Sequence, residues 1–232
     1  MRRKNGVEKL NLKYPFNMFL KSIKTQLIAM LILTTGATSK AQNYSSEIIR
    51  TGDLLFRETM SNGLSKAIDK VTQTEKHTHF SHIGLAVVEK DSVYVLHASP
   101  IGGTCKVSLN EFSHPEGDST QVTVYRLKTA YQEAIPAAID KASSLLGKPY
   151  NFSYLLSDTS HYCSEFIYLA FAQDSIFQLN PMTFKNPETG RFAPTWVSYY
   201  QQLGIDIPEG NPGCNPNGLA ASEKIERIVV LE

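Results

Sequence analysis

The chain has 232 residues, 42% of them hydrophobic and 19% charged, and its 23 lysines and arginines against 22 acidic residues leave a net charge of +1. That composition supports a core of ordinary size for one globular domain, and the charge balance excludes a global field that would draw the chain to nucleic acid or to an anionic surface. No nucleic-acid-binding motif is present.

At the N-terminus, Lys21 and Lys24 precede the apolar run Gln26 to Ala37, and Ser39 and Ala41 hold the small-residue positions of a signal-peptidase site. The pattern predicts a secretory leader over residues 1–41, cleaved after Ala41, and a mature domain over residues 42–232 that resides in the periplasm or outside the cell. A start at Met18 would give this leader an ordinary length. The apolar run is shorter than the roughly 20 residues that a span requires, so no stable membrane span is expected after processing. No cysteine follows the run directly, which argues against a lipid anchor.

Thr51 to Glu58 opens with a turn signal and continues as a short strand. Gly63 to Gln73 is amphipathic, with Leu64, Ile68 and Val71 on one side of a helix. The period then changes: Ser81 to Val88 and Val93 to Ser99 are apolar and β-branched, and the polar turn Glu89 to Ser92 makes them a hairpin. Gln121 to Lys128 reads as another strand. Glu133 to Gly147 reads as a helix stopped by Gly147, with Pro136 in its first turn or kinking it. In His161 to Phe171, the residues Cys163, Phe166, Ile167, Ala170 and Phe171 fall on one helical face. The segment from Asn186 to Gly218 is rich in turn residues and reads as irregular, and Ile225 to Glu232 is a final strand. Strands first, with helices segregated around them, predict an α+β fold with an antiparallel sheet.

Asp158, Thr159 and Ser160 are N-cap types, so Cys163 is expected in the first turn of its helix, where backbone N–H groups and the dipole favour thiolate over thiol. The competing reading makes Cys163 a small core residue. The odd number of cysteines leaves at least one unpaired in an oxidising compartment. Cys105 and Cys214 lie in Gly/Pro/Asn-rich stretches, and the sequence leaves open whether they bridge.

A nucleophilic cysteine needs a base and a group that orients the base. Of the six histidines, His77, His79 and His114 lie in polar loops and His161 on the helix approach, while His82 and His97 sit on strands. If the hairpin closes symmetrically, Val88 faces Val93 and, counting outward, His97 faces Gly84 and His82 faces Ser99. The two histidines then project from one face as diagonal neighbours roughly 7 Å apart, with Gly84 leaving room between them. A slip of one residue would put them on opposite faces. Each histidine can also be read singly as a half-buried strand residue with a backbone partner. A zinc site from His77, His79, His82 and Cys163 lacks a second ligand cluster and an HExxH pattern. The expectation is therefore no metal and no cofactor.

The order GDLLF, HFSHIGLAV, VYVLHASP, LGKPYNF, YCSEFIYLAF and a tail with LGIDIPEGNPGCNPNG resembles the YiiX/YebB (YaeF-type) branch of the NlpC superfamily, the circularly permuted papain-like amidases. The resemblance runs from about Gly52 to near the C-terminus. It implies a permuted papain-like fold, an antiparallel sheet or barrel packed against helices, in which His82 is the base, His97 orients it and Cys163 attacks. The orienting position is often glutamate in this branch and is histidine in the related lecithin:retinol acyltransferase-like proteins; Asn151 stands where aspartate is common.

The function expected is acyl transfer to water. Cys163 attacks an amide or ester carbonyl, backbone N–H groups at the helix start stabilise the oxyanion, and Tyr162, Ser164 and Ser81 are candidates for substrate or oxyanion contact. Glu165 is expected to pack. The substrates expected are peptide or amide bonds of the cell envelope, with lipid amides or esters as the alternative, and no nucleic acid. A non-catalytic binding module that keeps the fold is the reading from a different class.

Overall fold

The structure, a computed structural model, describes residues 47–58, 63–115 and 120–231. The expected leader over residues 1–41 lies outside them. In chain order, β1 is Leu54–Glu58, α1 Gly63–Val71, β2 Phe80–Glu89, β3 Ser92–Ser99, β4 Gly103–Ser108, α2 Leu109–Ser113 and β5 Val122–Leu127. There follow α3 at Ile135–Ser144, α4 at Cys163–Ala170, β6 at Asn180–Pro181, α5 at Pro194–Leu203, β7 at Pro212–Gly213, α6 at Pro216–Ala220 and β8 at Ile225–Leu231. Six strands form one sheet in the order β4-β3-β2-β1-β5-β8, every neighbouring pair antiparallel, and β6 and β7 form a separate ribbon. This is the expected α+β arrangement. The sheet is open at β4 and β8, so the barrel alternative is corrected: the core is covered by helices on a sheet that does not close.

The β-branched run in β2 is buried on both sides. Ile83 and Leu85 share a core with Leu96, Ala98 and the apolar faces of α3 and α4. On the opposite face Ala86, Val93 and Val95 pack with Phe112 of α2 and with Leu55, Val122 and Val124. A third cluster joins Leu64, Ala67, Ile68 and Val71 of α1 to Trp196 and Tyr200 of α5 and to Phe184. At the edge of the second core, Asp53 is buried and takes both arms of Arg126 at 2.7 Å together with the Arg50 backbone N–H at 2.8 Å. A carboxylate so deeply buried is tolerated because its lone pairs are filled by a bidentate guanidinium.

The hairpin has the expected register, Val88 opposite Val93 and Leu85 opposite Leu96, although the strands run one residue further on each side and leave Lys90 and Asp91 as the turn. Lys90 takes a left-handed φ of 55° there. Three local expectations are corrected. Thr129–Ala134 winds as a 3-10 turn ahead of α3, so that helix starts later than Glu133 and Pro136 stands in its first turn without a kink. Cys105 lies on β4, opposite His97, and not in a loop; Cys105, Cys163 and Cys214 are all free thiols. The stretch read as irregular contains α5, which begins at Pro194 and ends at Gly204 in the left-handed conformation, as proline at a helix start and glycine past its end would dictate.

Asn217 of α6, fully buried, ties the C-terminal segment to the start of β2. Its Oδ1 accepts from the Phe80 backbone N–H at 2.8 Å and from the Thr78 hydroxyl at 3.0 Å, and its Nδ2 donates to Asp69 at 3.1 Å and to Thr72 at 3.0 Å. Asn217→Ala strands several buried polar groups at once. The expected outcome is a loss of about 2–4 kcal/mol of stability, read by urea unfolding; a change below about 0.5 kcal/mol would show that the segment is held by other contacts.

Candidate active site

The ladder between β2 and β3 ends at Leu85↔Leu96, while β2 continues beside β1 to Phe80 and β3 continues beside β4 to Ser99. His82 and His97 lie beyond that end. Their side chains close the gap: His82 Nε2 and His97 Nδ1 are 2.8 Å apart, the rings are nearly perpendicular, and each residue is 5% exposed. Sequence spacing put the two rings on one face, and the structure brings them into contact. Gly84 serves them differently from the expectation. A Cβ there would come within 2.3 Å of Val95 and 3.0 Å of Phe112, so the space is filled by Phe112, whose ring packs 5.6 Å from the His82 ring and 5.3 Å from the His97 ring.

Cys163 is the first residue of α4 and is buried. Its helix is not capped by Asp158, Thr159 or Ser160, which correct to a turn of their own held by Ser157, whose hydroxyl lies 3.2 Å from that of Thr159 and 3.4 Å from that of Ser160. Tyr162 occupies the cap position, and the Glu165 carboxylate reaches back to its backbone N–H at 3.2 Å and takes the Ser157 N–H at 2.8 Å. Glu165 thus packs as expected, with its carboxyl pushed up to about 7 by burial. It sits 3.6 Å from the ring of His161, whose nitrogens have no hydrogen-bond partner among the described residues.

Backbone N–H groups of Ser164, Ile83 and Cys163 itself point at the Cys163 sulfur, and Ile83 neighbours His82 on β2. These donors and the Arg57 charge lower the thiol, yet burial outweighs them and pushes it up to about 11. The expectation that the helix start favours thiolate is therefore corrected: desolvation wins over dipole and hydrogen bonds. Burial also holds both imidazoles down, His82 well below its ordinary value and His97 to about 4, with the Arg57 charge acting in the same direction. The thiol and both imidazoles are therefore held in their neutral forms. Among the described residues no hydrogen bond links the Cys163 sulfur to either ring.

Arg57 was not anticipated from the sequence. It lies opposite His82 in the β1–β2 pairing, donates to the Phe112 carbonyl at 2.9 Å and sits over the Phe112 ring. Only the strand order, which is set by distant contacts, could have pointed to it. The other candidates have these positions. The Tyr162 hydroxyl accepts from the Cys214 backbone N–H at 3.2 Å, and the Ser164 hydroxyl donates to the Cys214 carbonyl at 3.0 Å, so both fasten the Cys214 loop to the start of α4. The Ser81 hydroxyl donates to the Glu58 carbonyl at 3.2 Å, at the bulge where β1 and β2 shift register. Asn151 is buried and accepts from the Ser153 N–H at 3.1 Å and hydroxyl at 2.7 Å, which shapes the loop carrying Tyr150 and Tyr154.

Two cavities meet here. One, of about 260 Å³, is lined by Cys163, Ser164, Tyr162 and Cys214; the other, of about 430 Å³, by His82, His97, Arg57 and Cys105. Ile68, Ser81, Tyr150 and Tyr154 line both, so the nucleophile candidate and the imidazole pair flank a common wall.

The sequence profile of the permuted papain-like amidase enzymes of the YaeF/YiiX type matches residues 48–229. The chain is 32% identical over 120 residues to the uncharacterized protein YiiX of Escherichia coli (strain K12), a match that covers 51% of this chain and 55% of that protein, so it spans about half the length of that relative. A crystal structure described as metalloprotein yiiX from Escherichia coli O157:H7 superposes with a TM-score of 0.62 over 78% of this chain and 97% of that one, at 23% identity. At that identity the likeness is one of fold.

A neutral resting thiol makes a direct prediction. In a Cys105→Ala/Cys214→Ala background, alkylation of Cys163 by iodoacetamide should accelerate with pH from 7 upward, without a plateau at acidic pH. An alkylation rate that is constant from pH 5 to pH 9 would reveal a preformed thiolate and contradict the burial argument.

Proposed function

The chain belongs to the YaeF/YiiX family of permuted papain-like amidases, and on that premise we propose that it is a cysteine-dependent hydrolase of amide bonds in cell-envelope substrates, with Cys163 as nucleophile, His82 as base and His97 as the orienting residue. The observation that carries the reading is the 2.8 Å contact between the buried imidazoles of His82 on β2 and His97 on β3, with the next backbone N–H of β2, that of Ile83, directed at the Cys163 sulfur. Two polar rings are costly to bury on a sheet face unless they serve each other.

In this reading His82 Nε2–H donates to His97 Nδ1, which fixes the tautomer that leaves His82 Nδ1 as an acceptor toward the sulfur. Binding of substrate closes the remaining gap between Sγ and the ring, as catalytic hydrogen bonds commonly tighten in the substrate complex. As Sγ attacks the carbonyl carbon, the thiol proton passes to His82 and the oxyanion takes up backbone N–H groups at the start of α4. The C–N bond then breaks, His82 returns the proton to the leaving amine, and water, deprotonated by the same imidazole, releases the acid and restores the thiol. Arg57 opposes a lasting imidazolium and favours the negative charge developing at sulfur and oxygen, both of which suit a base that must give its proton back. The leader pattern in residues 1–41 supports a location of the proposed enzyme and its substrates in the envelope or outside the cell.

The E. coli relative of known structure is described as a metalloprotein. Here no three His, Cys, Asp or Glu side chains among the described residues converge so that they could hold an ion, and no step of the proposed reaction runs through one.

Cys163→Ala should abolish turnover, and Cys105→Ala should not. His97→Ala should lower kcat/KM on the order of 10²-fold through a misoriented base. His97→Glu, which still offers an acceptor and sits near Arg57, should keep much of the activity and shift the acidic limb of the pH profile upward, because a carboxylate stabilises the imidazolium. Wild-type rates in His97→Ala would remove His97 from the site.

A further inference from the structure

At the start of α4 lie two titratable side chains that the proposed reaction does not use. His161 and Glu165 are each 1% exposed, the ring Nδ1 is 3.6 Å from the carboxylate Oε1, and neither residue lines either cavity. Oε1 accepts from the Ser157 backbone N–H at 2.8 Å and Oε2 from that of Tyr162 at 3.2 Å, whereas both nitrogens of the His161 ring lack a hydrogen-bond partner among the described residues. We propose that Glu165 is a positioning residue for Cys163 and that His161 is its proton partner: the pair binds one proton between carboxylate and Nδ1, so both backbone bonds survive when Glu165 is protonated. The pair stands on its own geometry, and its service to Cys163 rests on the reading of Cys163 as nucleophile.

What the carboxylate holds is the strap 151–160. The His161 backbone closes its ends, donating to the Pro149 carbonyl at 3.1 Å and accepting from the Asn151 N–H at 3.1 Å. Its first half is fixed to α5 by the Tyr199 and Tyr200 hydroxyls, which donate to the carbonyls of Phe152 at 2.7 Å and Ser153 at 3.1 Å. Tyr154 then turns the chain with a left-handed φ of 57° and lines both cavities. The second half returns to α4 at Ser157, through Glu165. The same carboxylate holds the Tyr162 N–H, one residue before Cys163. Loss of these bonds releases the strap and frays the helix start that supplies the N–H groups around the sulfur.

A proton disturbs such a clamp. Each carboxylate oxygen already faces a backbone hydrogen, so an added O–H must point elsewhere, and the His161 Nδ1 is the acceptor at hand. A closure of less than about 1 Å turns the 3.6 Å contact into an ordinary O–H···N bond. Burial pushes the Glu165 carboxyl up to about 7 and holds His161 below its ordinary value, so the proton that arrives near neutral pH enters on the carboxyl side. The charged groups that face the pair are Lys148, Lys141 of α3 and Asp158; the lysines oppose a proton on the ring, and Asp158 favours one on either member. Tyr162 and Cys214 also face Glu165, and burial raises both so far that neither ionises in this range.

Two substitutions of equal shape test the pair. In His161→Asn the amide oxygen stands where Nδ1 stood and still accepts, whereas His161→Leu offers no acceptor. Amide hydrogen exchange reads the strap without turnover. Protection of the Ser157 N–H, corrected for its intrinsic rate, should be equal at about pH 6 and about pH 8.5 in the wild type and in His161→Asn. In His161→Leu it should fall about tenfold or more at the lower pH alone, where Glu165 is protonated. Turnover of p-nitrophenyl acetate should follow: the ratio of kcat at about pH 6 to kcat at about pH 8.5 drops about fivefold or more in His161→Leu. The ratio returns to the wild-type value in Glu165→Gln/His161→Leu, which has no carboxyl to titrate. Protection in His161→Leu that is unchanged, or lost equally at both pH values, overturns the proton pair. A Ser157 N–H that exchanges as an open amide in the wild type at either pH overturns it without any variant. Exchange as expected with an unchanged kcat ratio overturns the positioning role and leaves the hydrolase reading intact. Exchange as expected with no Cys163-dependent turnover in the wild type overturns the hydrolase reading and the positioning role together, and leaves the proton pair.

Discussion

Two neutral imidazoles bonded to each other at the end of the β2–β3 ladder are the arrangement on which the rest of the site depends. The contact requires that β2 and β3 share a register of fixed parity, because a slip of one residue would send His82 and His97 to opposite faces. It also requires that the strands separate after Leu85↔Leu96, since a ladder that continued would engage the backbone in the sheet and close the gap. Separation directs the Ile83 N–H at the Cys163 sulfur and admits Phe112 against both rings. Gly84 allows this only because it lacks the Cβ that Val95 and Phe112 would strike.

The electrostatics follow from burial. A helix terminus favours a nearby negative charge by about 0.3–1 kcal/mol, up to about 2 in partly buried geometries. A thiol raised from its ordinary 9 to about 11 has lost about 3 kcal/mol of thiolate stability in total, so desolvation exceeds everything the donors supply. The same cause keeps His82 and His97 neutral and holds Glu165 near neutrality beneath the helix start. In the proposed reaction charge would develop at the thiol and the imidazoles only transiently, near Arg57, which lies opposite His82 on the neighbouring strand. A site of this kind exposes no standing thiolate to oxidants.

What could be read from the sequence was local. The hairpin register followed from a short polar turn between two apolar runs, and the helix of Cys163 followed from the spacing of Phe166, Ile167, Ala170 and Phe171, because each depends on residues close in the chain. The cap of that helix did not follow: Asp158, Thr159 and Ser160 have the right chemistry, but Glu165 satisfies the Tyr162 N–H from inside the helix, while Thr159 and Ser160 bond to Ser157 and the Asp158 carbonyl accepts from Lys148. Cys105 was hidden behind two glycines that resemble a loop, the second of which, Gly103, in fact starts β4. Arg57 and Cys214 reach the site through pairings across long stretches of chain, β1 with β2 and the Tyr162 hydroxyl with the Cys214 N–H, and no periodicity encodes such contacts. The helix at Pro194–Leu203 was legible in its Pro and Gly ends and was masked by the turn-rich residues on either side.

The cleft is divided between two kinds of structure. The imidazole side takes Arg57, His82, His97 and Cys105 from β1 to β4, where register fixes their positions, and is completed by α1, by Glu111 of α2 and by Tyr150 and Tyr154. The cavity at Cys163 is walled by α1, by the segment around Met182 and Phe184, by α5 and by the Cys214 loop, elements packed by side chains and free to vary in shape without altering the ladder. Asn217 joins the two halves, since its amide bonds α1 on one side and the first residue of β2 on the other. That satisfied buried amide ties the wall of the cavity to the strand that carries His82. The lining of that cavity can therefore change while the sheet keeps His82 and His97 where its register puts them.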